Sequence, residues 1–228
     1  MLTSGSGPHE TALSCLAGLL LPVDELAVID VACGQGIAAR LVASRGATVV
    51  GVDSSPSMIA NAQSHGTPEG PEIRYLVADA QTLSPLGAAS FDAATCQLAL
   101  MDIPDLEAAL AAIAKVLRPN GWLAFVIGHP CFLLPGARRA MIDDQPAVTT
   151  TGYFDERFWR SNNPNGVRRA GNHHRMLSTY LNALARAGFE MEECQEPRAG
   201  ELLAEQQPLY TQVPIFFAVR ARLREGSQ

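Results

Sequence analysis

Apolar residues fall along this chain in short dense runs, separated by stretches in which they recur every three or four positions. The runs Val28–Val31, Thr48–Val52, Ile73–Val77, Phe91–Cys96 and Trp122–Ile127 predict strands, because near-continuous apolar character suits a strand buried on both faces. Between them, Ile37–Ser44, Ser55–Ser64 and the stretch 103–119 predict helices. Ser55 is placed as an N-cap with Pro56 at the first helical position, and "PNG" (119–121) as a turn before the fifth strand. Near the N-terminus Leu13, Leu16 and Leu20 share one helical face. That segment lacks a basic start and is far shorter than the roughly 20 apolar residues that span a bilayer, so it reads as an amphipathic helix with no membrane role. Strand–helix alternation implies an α/β fold with a parallel sheet and helices on both faces. Later, a helix over Met176–Ala187 stops at Gly188, and strands near Phe189–Cys194 and Val213–Ala221 follow. This ending predicts a last strand antiparallel to the rest. Residues 1–228 read as one domain. Residues 129–175 break the alternation with Pro, Gly, Asn and aromatics, too long for a plain connection, and predict a substrate cap inserted after the fifth strand.

Composition narrows the class. A hydrophobic fraction of 47% against 18% charged is globular, and a formal charge of -6 argues against a protein that grips nucleic acid by its phosphates. Five widely spaced cysteines without a CxxC pair point to reduced thiols in a cytoplasmic protein, not to a zinc knuckle or disulfide framework. No metal is expected, since Asp102 and Asp105 suit a helix start better than a metal cluster.

The chemistry concentrates in "VIDVACGQGIAARLVASRGATVVGVDSS", residues 28–55. Gly34 and Gly36 permit a tight turn and close approach of a ligand to backbone. Asp30 precedes the turn, Asp53 ends the second strand, and Asp79 follows the third. In open parallel sheets ligands bind beyond the carboxyl ends of the strands. Three acids there suit a cationic, adenosine-containing ligand and repel a diphosphate, which disfavours a nicotinamide oxidoreductase. Each acid also has a structural reading: Asp30 capping backbone amides, Asp53 as a helix N-cap, Asp79 in a turn.

With these residues in place the chain resembles the class I S-adenosylmethionine-dependent methyltransferases of the small-molecule type, related to the quinone-biosynthesis and sterol enzymes. "VIDVACGQG" resembles their first motif and "VVGVDSSPSMIANA" the second. "VADAQTLSPLGAASFDAATCQLALMDIPD" matches the third and fourth, and "LRPNGWLAFVI" the fifth. The resemblance implies a Rossmann-like seven-stranded sheet in order 3-2-1-4-5-7-6 with the last strand antiparallel. It implies S-adenosyl-L-methionine as cofactor and S-adenosyl-L-homocysteine as product. By it, Asp30, Gly34 and Gly36 hold the methionyl part and Asp53 the ribose, while Asp79 and Ala80 frame the adenine. Cys96 and Gln97 line the floor by the sulfonium, and Ala32, Ser54 and Met58 complete the cofactor-binding set. Ala32 stands where the family most often has its first glycine.

The acceptor is less legible. A small molecule is the leading reading, methylated on oxygen or nitrogen, such as a natural product or other anionic metabolite. His129, His173 and His174 are the candidate general bases. Tyr153, Phe154, Phe158 and Trp159 can line an apolar cleft, with Tyr153, Trp159 and Arg175 as substrate contacts. From Arg157 to Phe189 no acid occurs, yet Arg157, Arg160, Arg168, Arg169, Arg175 and Arg186 do. They either draw in an anionic acceptor or pair with acids such as Asp143, Asp144 and Glu190–Glu193. Alternatives are a protein or RNA methyltransferase, although Cys96-Gln97-Leu98-Ala99 lacks the polar–Pro–Pro–aromatic turn that holds a flipped base, or a cofactor-binding protein without methyl transfer. A monomer or a homodimer is expected.

Overall fold

The apolar runs assemble into one seven-stranded sheet with helices on both faces. The computed structural model describes residues 7–66, 71–160 and 171–226. In chain order the elements are α1 (Pro8–Leu19), β1 (Ala27–Val31), α2 (Ile37–Ala43), β2 (Thr48–Asp53), α3 (Pro56–Ser64), β3 (Ile73–Val77), β4 (Phe91–Gln97), α4 (Leu106–Val116) and β5 (Leu117–Gly128). Then come β6 (Arg138–Ile142), β7 (Gln145–Thr149), β8 (Arg157–Trp159), β9 (Asn172–His174), α5 (Leu177–Arg186), β10 (Phe189–Gln195), α6 (Glu201–Gln206) and β11 (Phe216–Leu223). The sheet runs β10-β11-β5-β4-β1-β2-β3. Counting only its members, this is the order 3-2-1-4-5-7-6. β1 to β5 are mutually parallel, and β11 is antiparallel to both β5 and β10.

Strand alternation sends successive residues to opposite faces. Leu123, Phe125 and Ile127 join α4 and α5 on one side, whereas Trp122, Ala124 and Val126 join α1, α2 and α3 on the other. Both sides are apolar, which is why the strands read as unbroken hydrophobic runs. Asp105 caps α4 by accepting from the Ala108 amide, and Ser55 caps α3 from Met58. Asp92 anchors β4 to its neighbours, accepting from the Ala27 amide and pairing with Arg118.

Local differences from the sequence reading have clear causes. The "PNG" turn lies inside β5 as a bulge: Phe91 pairs with Leu117, Ala93 with Trp122, and Asn120 takes φ +64. The buried stripe of α1 is Ala12, Cys15, Leu16 and Leu19; Leu13 and Leu20 flank it half-buried, and Leu20 stands just past the helix end. Residues 129–175, where described, hold two small antiparallel pairs, β6–β7 and β8–β9. Arg168 and Arg169 lie outside the described residues. Among the described residues no helix is long and apolar enough to cross a membrane.

Candidate active site

β1 and β2 deliver the glycine turn and its first two acids to one edge of the sheet. Ala32, Gly34 and Gly36 all take left-handed backbone angles, φ +53, +53 and +76. A Cβ on Gly34 would meet nothing within 4 Å, so its backbone faces open space. Gly36 is different: a Cβ there would lie 2.3 Å from the hydroxyl of Tyr75, whose ring packs beneath the turn and also against Gly51. Ala32 occupies a region that costs a non-glycine residue roughly 1–2 kcal/mol. The alanine therefore holds a left-handed angle within the turn and bears its strain.

Asp30 is 1% exposed. Thr95, its register partner on β4, donates to Oδ1 at 2.8 Å, and Oδ2 has no hydrogen-bond partner. Burial pushes its carboxyl up to about 7; the Thr95 hydroxyl and the Ala39 amide in the first turn of α2 pull the other way. An unpaired buried carboxyl is costly unless something cationic or hydrogen-bonding completes it.

Asp53 ties the edge together. Its Oδ2 accepts from the Gly34 amide and its Oδ1 from the Ser55 amide, each at 2.9 Å. A carboxylate has about four acceptor sites, so two remain. Asp79 is exposed and accepts from the amide and side chain of Gln81. Asp79 thus sits in a turn as its structural reading had it, whereas Asp53 is not the helix N-cap: Ser55 caps α3, and Asp53 accepts from the Ser55 amide instead. Ala80 is buried beside Asp79, and Ser54 is exposed next to Asp53. Ile37, Met58 and Val77 stay exposed where α2 and α3 begin and β3 ends. That apolar surface beside the carboxylates suits a flat organic group. Cys96 is fully buried and Gln97 half-buried at the end of β4. Burial drives the thiols of Cys96 and Cys33 far up, so neither is poised as a nucleophile.

The histidines separate sharply. His129 is 2% exposed, with both ring nitrogens engaged: Nδ1 accepts from the Cys131 amide at 3.1 Å, leaving Nε2 to donate to Glu196 at 2.7 Å. Its ring lies against Phe132 and Phe217. Held this way, His129 has no nitrogen open to an acceptor's proton. His174 is buried and donates through Nε2 to the Tyr153 carbonyl. His173 points the other way along β9. Its amide donates to the Met101 carbonyl, placing it beside the segment that leaves β4, and its ring lies 5.1 Å from Phe158. With His174, Gly128, Arg175 and Tyr180 it lines a cavity of about 20 Å³, room for roughly one water. Burial, then the Arg175 charge, lowers its pKa and keeps the imidazole neutral near pH 7.

The expected substrate contacts also sort themselves. Arg175 is 9% exposed and donates to the carbonyls of Leu100, Ile103 and Pro104. Its guanidinium ties down the loop after β4, and the residue also lines the small cavity beside His173. The Tyr153 hydroxyl accepts from the Leu177 amide, and Glu156 from the Met176 amide, so residues 153–156 cap α5. Trp159, half-buried, lines a larger cavity of about 580 Å³ with Phe132, Leu134 and Tyr210. Glu190, Glu192 and Glu193 pair with Arg220 and Arg222 of β11 and with Arg224 just past it, and Arg186 pairs with Glu107. Tyr75 and Thr95 were missed from sequence; a glycine opposite an aromatic and a hydroxyl opposite an aspartate were their signals. Among the described residues no three His, Cys, Asp or Glu side chains converge as a metal-ligand group.

Comparison with known proteins bears on the fold and on residues 29–125. Residues 29–125 match the family model described as "Methyltransferase domain". A ubiquinone biosynthesis O-methyltransferase of Paracidovorax citrulli is 37% identical over 107 residues, 46% of this chain and 45% of that protein. The chain thus spans less than half the length of the curated relatives it matches. Among solved structures, an S-adenosylmethionine dependent methyltransferase from Mesorhizobium loti superposes with TM-score 0.79 at 29% identity, covering 93% of this chain and 97% of that one. A putative S-adenosylmethionine dependent methyltransferase from Listeria monocytogenes shares the fold, with TM-score 0.78 at 21% identity over 95% and 99% of the two chains. Residues 29–125 thus match a methyltransferase domain, and over nearly its whole length the chain is similar in fold to S-adenosylmethionine-dependent methyltransferases.

Proposed function

We propose that this chain binds S-adenosylmethionine at the glycine turn and transfers its methyl group to a small-molecule acceptor. The observation that carries this reading is Asp30: a buried carboxyl with an unpartnered Oδ2 beside a turn that opens onto space at Gly34. Such a group is completed by an ammonium, which the methionyl end of the cofactor carries. In the same reading the remaining acceptor sites of Asp53 take the ribose hydroxyls, Met58 and Val77 flank the adenine, and Asp79 with Ala80 meets its edge. Gln97 stands at the end of β4, next to where the sulfonium would lie.

The cofactor, when bound, supplies an electrophilic methyl group on a sulfonium sulfur, and the protein's contribution is to align an acceptor lone pair with it. An oxygen acceptor must also lose its proton. His173 supports that role better than His129 or His174, because no described residue hydrogen-bonds its ring and its lowered pKa keeps it neutral. Oxygen as acceptor is further supported by the curated relatives, which are named O-methyltransferases.

Methyl transfer from labelled cofactor into a panel of phenols, amines and carboxylates tests the reading. At least one acceptor is expected to take label. In His173→Gln the rate for hydroxyl acceptors is expected to fall and lose its dependence on pH between 5 and 7, with amine acceptors unaffected. No labelled product from any acceptor class would contradict the proposal.

A further inference from the structure

Among the described residues, the cavity of about 580 Å³ beyond β5 and β11 is lined by four arginines, Arg138, Arg139, Arg157 and Arg160, and by no Asp or Glu. Its position follows from topology. Residues 132–135 leave the carboxyl end of β5, and residues 209–213 lead into the start of β11. Because β11 is antiparallel to β5, both meet at the edge that carries the glycine turn. The volume falls within the roughly 300–1,000 Å³ of small-molecule pockets.

The arginines are not consumed by local partners. Arg157 forms an exposed pair with Asp155, the kind worth only about 0–1 kcal/mol. Arg138 donates to the Pro135 and Ala137 carbonyls of its own loop through a single Nη. Arg139 lies over the Tyr210 ring and Arg160 over the Phe158 ring, 5.9 and 5.6 Å from the centroids. Among the described residues neither Arg139 nor Arg160 has a carboxylate partner. Stacking on a ring holds a guanidinium's plane while leaving its N–H edge free to form a two-point hydrogen bond. The remaining walls, Trp159 among them, are largely aromatic and aliphatic.

We propose that this cavity binds an aromatic carboxylate. Its carboxylate would bridge the forks of Arg139 and Arg160, and its ring would extend the stack toward Trp159 and Tyr210. A planar carboxylate matches the fork and carries less charge into a half-apolar site than a phosphate would. That this ligand is the methyl acceptor rests on the activity proposed above; its binding does not.

The test is calorimetric titration of the full chain with 2-naphthoate and with 2-naphthamide, which keep the body and remove the charge. Naphthoate is expected to bind at least about tenfold more tightly, the loss of one charge-assisted contact being worth that much. The advantage should shrink as salt is raised. The double variant Arg139→Gln/Arg160→Gln is expected to lose about tenfold or more for naphthoate and little for naphthamide. Its affinity for S-adenosylmethionine should be unchanged. Equal binding of the two probes, no binding of naphthoate, or a double variant that binds naphthoate like the wild type would overturn the proposal. Naphthoate discrimination without S-adenosylmethionine binding would support the cavity and remove the methyl-transfer reading; the reverse pattern would do the opposite.

Discussion

Replacing Asp30 by asparagine isolates the electrostatics of the site in a single measurement. Burial holds the Asp30 carboxyl at about 7, against 3.8 for the ordinary group. Because the folded-state value is the higher one, folding is favoured while the group is protonated and loses that contribution as pH rises through 7. The difference corresponds to on the order of 4 kcal/mol of unfavourable ionisation once both states are charged, about 2–3 kcal/mol of it accruing between pH 5 and 8. Asparagine keeps the shape and an oxygen for the Thr95 hydroxyl, but cannot ionise. Urea unfolding of both proteins at pH 5 and pH 8 reads the effect directly, because every other titration cancels in the difference. The variant should gain about 2–3 kcal/mol on the wild type over that interval, and its affinity for S-adenosylmethionine should fall. A stability gap independent of pH would refute the argument, since it would mean that Asp30 is already ionised and paired.

Three further substitutions, one of them with a compensating second change, probe the frame. Ala32→Gly relieves a residue at φ +53 and, after glycine's extra freedom in the unfolded chain is offset, should stabilise by up to about 1 kcal/mol; a lower melting temperature contradicts this. Gly36→Ala places a Cβ 2.3 Å from the Tyr75 hydroxyl and should cost about 2–4 kcal/mol. Adding Tyr75→Phe should restore part of that loss, and no recovery would mean the clash is not the cause. Arg175→Met removes the donor to three loop carbonyls and should destabilise by about 3 kcal/mol. A variant as stable as the wild type but with a raised acceptor KM would return Arg175 to substrate binding.

The central strands were legible because they are buried on both faces and so read as hydrophobic runs, whereas β5 begins five residues before its run and β11 three residues after its expected start. Strand order came with the motif resemblance, which local pattern alone does not supply. The glycine turn was legible for a similar reason: Gly34 and Gly36 are needed at positive φ, and that requirement shows in the sequence. What failed to show were partnerships across long separations. The bonds of Arg175 run to carbonyls 71 to 75 positions away, and backbone acceptors carry no residue signature. His129 looked catalytic from its place after β5; Glu196, 67 positions on, and the Cys131 amide close its ring off. The arginine cavity was half seen. Arg157 and Arg160 stood out as a reversal of charge, but Arg138, Arg139 and Tyr210 join them only through the β6–β7 pair and the approach to β11.

Calorimetric titration of the wild-type chain with S-adenosylmethionine, in parallel with NAD, tests the central claim most directly. The turn at Gly34, the orphan oxygen of Asp30 and the free acceptor sites of Asp53 predict saturable, one-to-one binding of S-adenosylmethionine that tightens between pH 6 and 8 as Asp30 ionises. NAD, whose diphosphate would face these carboxylates, should give no comparable heat. Binding of NAD in preference to S-adenosylmethionine, or of neither, would contradict the assignment of this edge of the sheet.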